Sequence, residues 1–296
     1  MTTTGAVAPA LPHVQDRRLV LLAWAATLLV SAFPQIVLHW FGVSAPAWTN
    51  LGEVAVVAAL AVIARRTRLA GYFVVLVALA AVFAALEGFY GVTGLRHWFA
   101  HGPADETVPT QAAFLVLPGA AMVAASLAFG LTRRQLCLTS GDPRAQGRIP
   151  GTARRASWTK MAAVSALVAL VPLAIELELT THAHAHAAMH ALELLPVGIA
   201  FAVVNAVQEE VRFRAVPLAW LAPVLGKEQA IWLTALAFGL AHWNGHPSGP
   251  AGVVMTLFFG AWLAKAMLET RGLAVPAAIH AAADAVIYGF LVVGSG

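Results

Sequence analysis

Long apolar stretches alternate with short polar turns along the whole chain. The apolar runs fall at residues 19–40, 47–64, 69–91, 111–131, 160–180, 195–222, 228–244, 250–269 and 273–294. A helix needs about 20 predominantly apolar residues to cross the hydrocarbon core of a bilayer. The second and seventh runs are short, and the sixth is long and carries charge in its middle. The pattern predicts an all-α, polytopic transmembrane helix bundle of eight or nine spans, nine being the better count.

Composition agrees. The 296 residues are 60% hydrophobic and 11% charged, with a mean hydropathy of +0.77, whereas a soluble domain is about a quarter charged. The net charge of +4 is too small to argue for nucleic acid, and no such partner is expected. Cys137 is the only cysteine, which excludes an internal disulfide and a cysteine-based metal cluster. Arg133 and Arg134 beside it can lower a thiol pKa, although an ordinary thiol is the simpler reading. Residues 1–16 lack the pattern of a cleavable signal.

The positive residues fix the expected orientation, because Lys and Arg gather on the cytoplasmic side of membrane spans. Arg17, Arg18, Arg65, Arg66, Arg68, Arg133, Arg134, Arg144, Arg148, Arg154, Arg155, Lys160, Lys227, Lys265 and Arg271 all fall on one face if nine spans alternate. That predicts a cytoplasmic N-terminus and an outside C-terminus. The excess of Arg over Lys suggests a GC-rich bacterial source, hence a bacterial inner membrane. Residues 132–159 form the only sizeable polar segment, with Gly141, Pro143, Gly147, Pro150 and Gly151 among basic residues. It reads as an irregular, basic cytoplasmic linker loop between a four-span N-terminal region, 1–131, and a C-terminal region, 160–296. It can rest on anionic headgroups, but a plain topological role suffices. No inverted repeat of the transporter kind is visible.

Several ionisable groups interrupt the C-terminal apolar runs. Each costs roughly 2.5–3.5 kcal/mol at the centre of a bilayer, so they are expected to meet one another, water or a substrate. In the sixth run, Glu210 and Arg214 stand at i and i+4, the better order for a helical ion pair. Glu209 is turned about 100° away and has Phe213 at i+4. The seventh run ends in Phe238-Gly-Leu-Ala-His242. The ninth carries His280-Ala-Ala-Ala-Asp284, one helical face with small residues between. Counting rise from the cytoplasmic turns puts all these groups at similar depths.

Glu209-Glu210-xxx-Arg214, Phe238-xxx-His242 and His280-xxx-Asp284, in this order on separate membrane helices, resemble the CPBP family. This family comprises the type II CAAX prenyl endopeptidases and bacterial relatives tied to bacteriocin processing and self-immunity. The resemblance covers roughly residues 160–294. It implies intramembrane proteolysis in a conical cavity, with a membrane-associated protein or peptide as substrate and the bilayer as partner. By motif position, Glu209 would activate water with help from His242, and His280 and Asp284 would bind and polarise the scissile carbonyl. Glu210 and Arg214 would support them, and Phe238 would pack the site. Many relatives carry Asn where Asp284 stands; an amide donates a hydrogen bond to an oxyanion, and an ionised carboxylate does not. This keeps open a zinc reading, in which His242, His280 and Glu209 or Asp284 hold the metal and a bound water. The absence of an H-E-x-x-H helix favours the metal-free reading, with no cofactor. Two other functions use the same groups: a catalytically idle immunity or assembly protein, and a proton-coupled transporter.

Other features carry less weight. His182, His184, His186 and His190 can bind metal, with Glu176, Glu178 and Glu193 nearby, but a solvated turn is the simpler reading. Glu53 and Glu87, buried in the second and third runs, read either as packing-satisfied acids or as substrate-cavity groups. Trp40, Trp48, Trp98, Trp158 and Trp243 fall near expected interfaces, as membrane tryptophans do.

Overall fold

A computed structural model of the chain describes residues 16–43, 49–181 and 193–294. Its helices are α1 (Arg17–Leu29), α2 (Phe33–Trp40), α3 (Thr49–Ala64), α4 (Ala70–Thr93), α5 (Leu95–His101), α6 (Ala104–Phe114), α7 (Val116–Ala128) and α8 (Trp158–Thr181). They continue as α9 (Leu195–Glu210), a five-residue π-helical segment (Val211–Ala215), α10 (Val216–Leu225), α11 (Lys227–Ala241), α12 (Gly249–Thr270) and α13 (Ala274–Gly294). Among the described residues the only strands are β1 (Gln146–Arg148) and β2 (Arg155–Ser157).

The protein is an all-α, integral membrane bundle, and helix length and composition do not confirm the expected eight or nine spans. Among the described residues, five helical stretches are long and apolar enough to cross a bilayer, or six if α1 and α2 are taken as one span. Local chemistry explains the difference. α1 and α2 bend by 64° where Ser31 Oγ bonds the Leu28 carbonyl and receives the Phe33 N–H. Pro34, in the first turn of α2, has no N–H to continue the first helix. α3 and α11 have 16 and 15 residues. The stretch 195–225 is interrupted by Glu209, Glu210, Arg212 and Arg214 around the π segment.

α9 packs along α13, α11 along α12, and α8 along α13, while α3 and α7 lie on α4. A shared core joins the two halves of the chain: Ala23, Leu69, Phe73, Leu221, Leu233 and Met267 are buried in one cluster. The arginine-bearing turns gather at one end. Arg68 donates to the Pro223 carbonyl there, and Thr139 to that of Arg271.

Residues 132–157 are mostly turns and bends, with one short hairpin among them. β1 and β2 pair antiparallel, with Gln146 opposite Ser157, Gly147 opposite Ala156 and Arg148 opposite Arg155. The segment is tied to the end of α12 by Asp142 N–H to Thr270 O and by Leu273 N–H to Thr139 O, each 2.8 Å. Gly141 and Gly272 meet backbone to backbone, so a Cβ on either would collide with the other. Trp158 is fully buried and its Nε1 donates to Glu269 at 2.9 Å. Burial pushes the Cys137 thiol up, and the cation opposing that shift is Arg271 rather than Arg133 or Arg134.

Candidate active site

Three helix segments bring the charged residues together. Glu209 and Glu210 end α9, and the π segment that follows carries Arg212 and Arg214. In a π-helix the N–H bonds the carbonyl five residues back, as Val216 N–H does to Val211 O. Such segments occur mostly as single turns, often at functional sites. His242 sits where α11 gives way to a 3₁₀ turn, and His280 and Asp284 lie one turn apart in α13.

The Glu210–Arg214 pair has the expected i,i+4 geometry: Arg214 Nη1 donates to Glu210 Oε1 at 2.7 Å, and both side chains are wholly inaccessible. The same oxygen lies 2.8 Å from His280 Nδ1. Taking that contact as Nδ1–H donating, Nε2 is the ring nitrogen left for chemistry. His280 Nε2 is 3.5 Å from Glu209 Oε2 and 3.7 Å from Asp284 Oδ1. Glu209 Oε1 is 3.6 Å from Arg212 Nη2, close enough for charge attraction and too long for a hydrogen bond.

The sequence reading missed two contributors. Arg212, 7% exposed, lies beside Glu209 and is flanked by the rings of Phe83 and Phe213. Asn205 donates to Asp284 Oδ2 at 3.2 Å and accepts from Gln208 at 2.9 Å. Asn205 was visible as the polar residue one helical turn before Glu209, but its partner 79 residues on was not.

Phe238 packs among the charged groups. The Arg214 guanidinium lies 3.8 Å from its ring centroid, and the His242 and His280 rings meet it edge-on at 4.5 and 5.6 Å. His242 Nδ1 contacts the Phe238 carbonyl at 2.9 Å, an i,i+4 bond that leaves Nε2 as the acceptor of the neutral ring. Gly260 makes room for this arrangement: a Cβ there would come within 3.0 Å of the Phe238 ring and 3.1 Å of Arg214 Nη2.

A cavity of about 570 Å³ runs up to this cluster. Phe238, His242, His280 and Asp284 line its polar end. Met255, Phe259 and Trp262 of α12, with Val164, Val168 and Pro172 of α8, form apolar walls. Glu209 is not a lining residue and reaches the cavity through His280. Glu87 does not join the cluster; it is half-exposed and pairs with Arg96 at 2.7 Å. Glu53 lies in α3, which packs on α4 and α1. The His182–His190 tract falls outside the described residues. Among the described residues, no three His, Cys, Asp or Glu side chains are arranged to hold one metal ion.

The carboxylates and imidazoles thus converge at one end of a cavity that is otherwise mostly apolar. Residues 191–286 match the family described as type II CAAX prenyl endopeptidase Rce1-like, a match that takes in every charged residue of the cluster and supports the CPBP resemblance. That family points to CAAX-type intramembrane proteolysis on a membrane-associated substrate. No curated protein and no solved structure matches the chain.

Proposed function

We propose that this protein is an intramembrane endopeptidase in which Glu209 activates the attacking water. The observation that carries this reading is the convergence of His242, His280 and Asp284 on one end of a mostly apolar cavity, with the Glu209 carboxylate 3.5 Å behind His280 Nε2. A substrate segment in that cavity would present its scissile carbonyl beside His280 Nε2, which donates to the developing oxyanion when the ring is protonated. Water held between the imidazoles would lose its proton to Glu209, with His242 Nε2 as a second acceptor. Asp284, held on its far oxygen by Asn205, would orient His280 in place of donating to the oxyanion itself. The apolar walls favour a membrane-held peptide, such as a bacteriocin precursor or a sorting-signal tail.

The test is cleavage of quenched, membrane-tethered peptides by purified protein in detergent. Glu209→Gln should lower turnover by about 10²-fold or more in protein that still shows a cooperative thermal unfolding transition. Equal rates for the variant and the parent would reject the assignment. A catalytically idle assembly protein would instead cleave nothing and retain its biological effect with Gln at 209. Metal analysis of the same preparation, with chelator treatment, tests for a bound ion directly.

A further inference from the structure

Trp262 bridges two walls of the cavity. Its indole springs from α12, and its Nε1 donates to Ser165 Oγ of α8 at 2.7 Å; both residues line the cavity. Ser165 donates in turn to the Met161 carbonyl of its own helix, which leaves its oxygen free to accept from the indole. The Trp158 ring lies against Trp262 at 4.9 Å between centroids. Lys265 Nζ is 5.6 Å from the Trp262 centroid and 5.2 Å from that of Trp158, within cation–π range. Glu269 fixes Lys265 at 2.6 Å and also accepts the Trp158 N–H. An indole held by its N–H, a neighbouring ring and a cation has little freedom to swing aside.

This bar stands next to the reacting groups. Phe259 meets the His280 ring edge-on at 5.6 Å, and Trp262 follows it by three residues on α12, a rise of about 4.5 Å. Chain order on the two helices separates the sides. Lys160 and Met161 precede Ser165 on α8, toward the hairpin, whereas Met255 and Phe259 lie beyond Trp262, toward His242 and His280. The catalytic side is open laterally: Val168 and Phe258 line the cavity and yet are 66% and 62% exposed, on helical stretches long and apolar enough to span a bilayer. An apolar segment entering there with its reacting carbonyl at His280 has the indole as the end wall for a neighbouring side chain.

We infer that Trp262, latched to Ser165, is a specificity-determining residue: it limits side-chain size in the subsite beside His280, so that the preferred substrate carries a small residue at one of the two positions flanking the scissile bond. The inference rests on the protease reading for the identity of its ligand as a substrate. A rigid aromatic wall discriminates by bulk, and in apolar pockets a single methylene changes kcat/KM by about tenfold or more.

The experiment reads a ratio of rates rather than a rate. The bond cleaved in one membrane-tethered peptide is located by mass spectrometry, and each flanking position is then varied through Ala, Val, Leu and Phe. At one position the parent should favour Ala over Phe by about tenfold or more in kcat/KM. Trp262→Leu should erase or reverse that preference. Ser165→Ala and Trp262→Phe, which remove the hydrogen bond and keep a ring, should weaken it less, and they carry the test if Trp262→Leu does not fold. A preference unchanged in all three variants would overturn the inference. So would an equal fall in rate for every peptide, the mark of a ring that only supports the fold. Affinities of the same peptides for Glu209→Gln and for Glu209→Gln/Trp262→Leu separate the two readings. Size-dependent binding that relaxes in the double variant, with no cleavage by the parent, would reject the protease reading and keep the subsite. Cleavage at rates independent of side-chain size at both positions would do the reverse.

Discussion

Arg214→Met should destabilise the protein far more than its volume change suggests. The substitution removes the guanidinium held 2.7 Å from Glu210, in a pair with no accessible surface on either side. Two unit charges at that distance attract by about 6 kcal/mol at an effective dielectric of 20. Breaking one half of a buried pair costs about 3–5 kcal/mol. His280 Nδ1 still contacts Glu210 Oε1, which favours the lower part of that range. Thermal unfolding in detergent, followed by tryptophan fluorescence, should show a drop of roughly 6–20 °C. Glu210→Gln alone should also destabilise, because it strands Arg214. The double variant should be more stable than either single one, since its amide oxygen still accepts from His280 and no unpaired buried charge remains. Additive losses in the double variant, or a drop below 2 °C for Arg214→Met, would refute the reasoning.

Arg212→Gln should reduce turnover by roughly 10–100-fold, the range for groups that hold a reactive side chain in place, with KM little changed; Arg212→Lys should restore most of it because the charge beside Glu209 returns. Steady-state kcat and KM on one peptide check both. Gly260→Val should cost about 1–3 kcal/mol by overpacking and lower cleavage as well, since its first added carbon meets both Phe238 and Arg214; melting temperature and turnover measured together check it.

Much of the helical layout was legible because bilayer solvation imposes one strong rule on the sequence: apolar segments long enough to span. The apolar runs at 69–91, 250–269 and 273–294 coincide with α4, α12 and α13 to within two residues at either end. The rule fails where helices break. The signal at Ser31 and Pro34 was present, but hydropathy averaged over it. The π segment left no composition signal beyond its four nearby charges. The hairpin was hidden because Gly and Pro mark turns without saying what the turns connect, and its strands are three residues long.

For the candidate site, periodicity within one helix was informative and contact between helices was not. The i,i+4 spacing gave the Glu210–Arg214 pair and put His280 and Asp284 on one face. It could not show that Glu210 holds His280 as well as Arg214, nor that Asn205 reaches Asp284. Those contacts depend on how α9 lies along α13, which no spacing within a single run encodes.

The wide turn after Glu210 has a consequence for how the region tolerates change. A regular α-helix advances about 100° per residue, and the i→i+5 segment winds less per residue, so it absorbs one extra residue with little change in the phase of the flanking turns. Losing one residue between 211 and 215 would restore ordinary winding and leave α9 and α10 aimed much as before, while shortening the spacing that sets Glu210 against Arg214. A length change here would therefore disturb the local pairing of acids and arginines rather than the direction of the helices on either side.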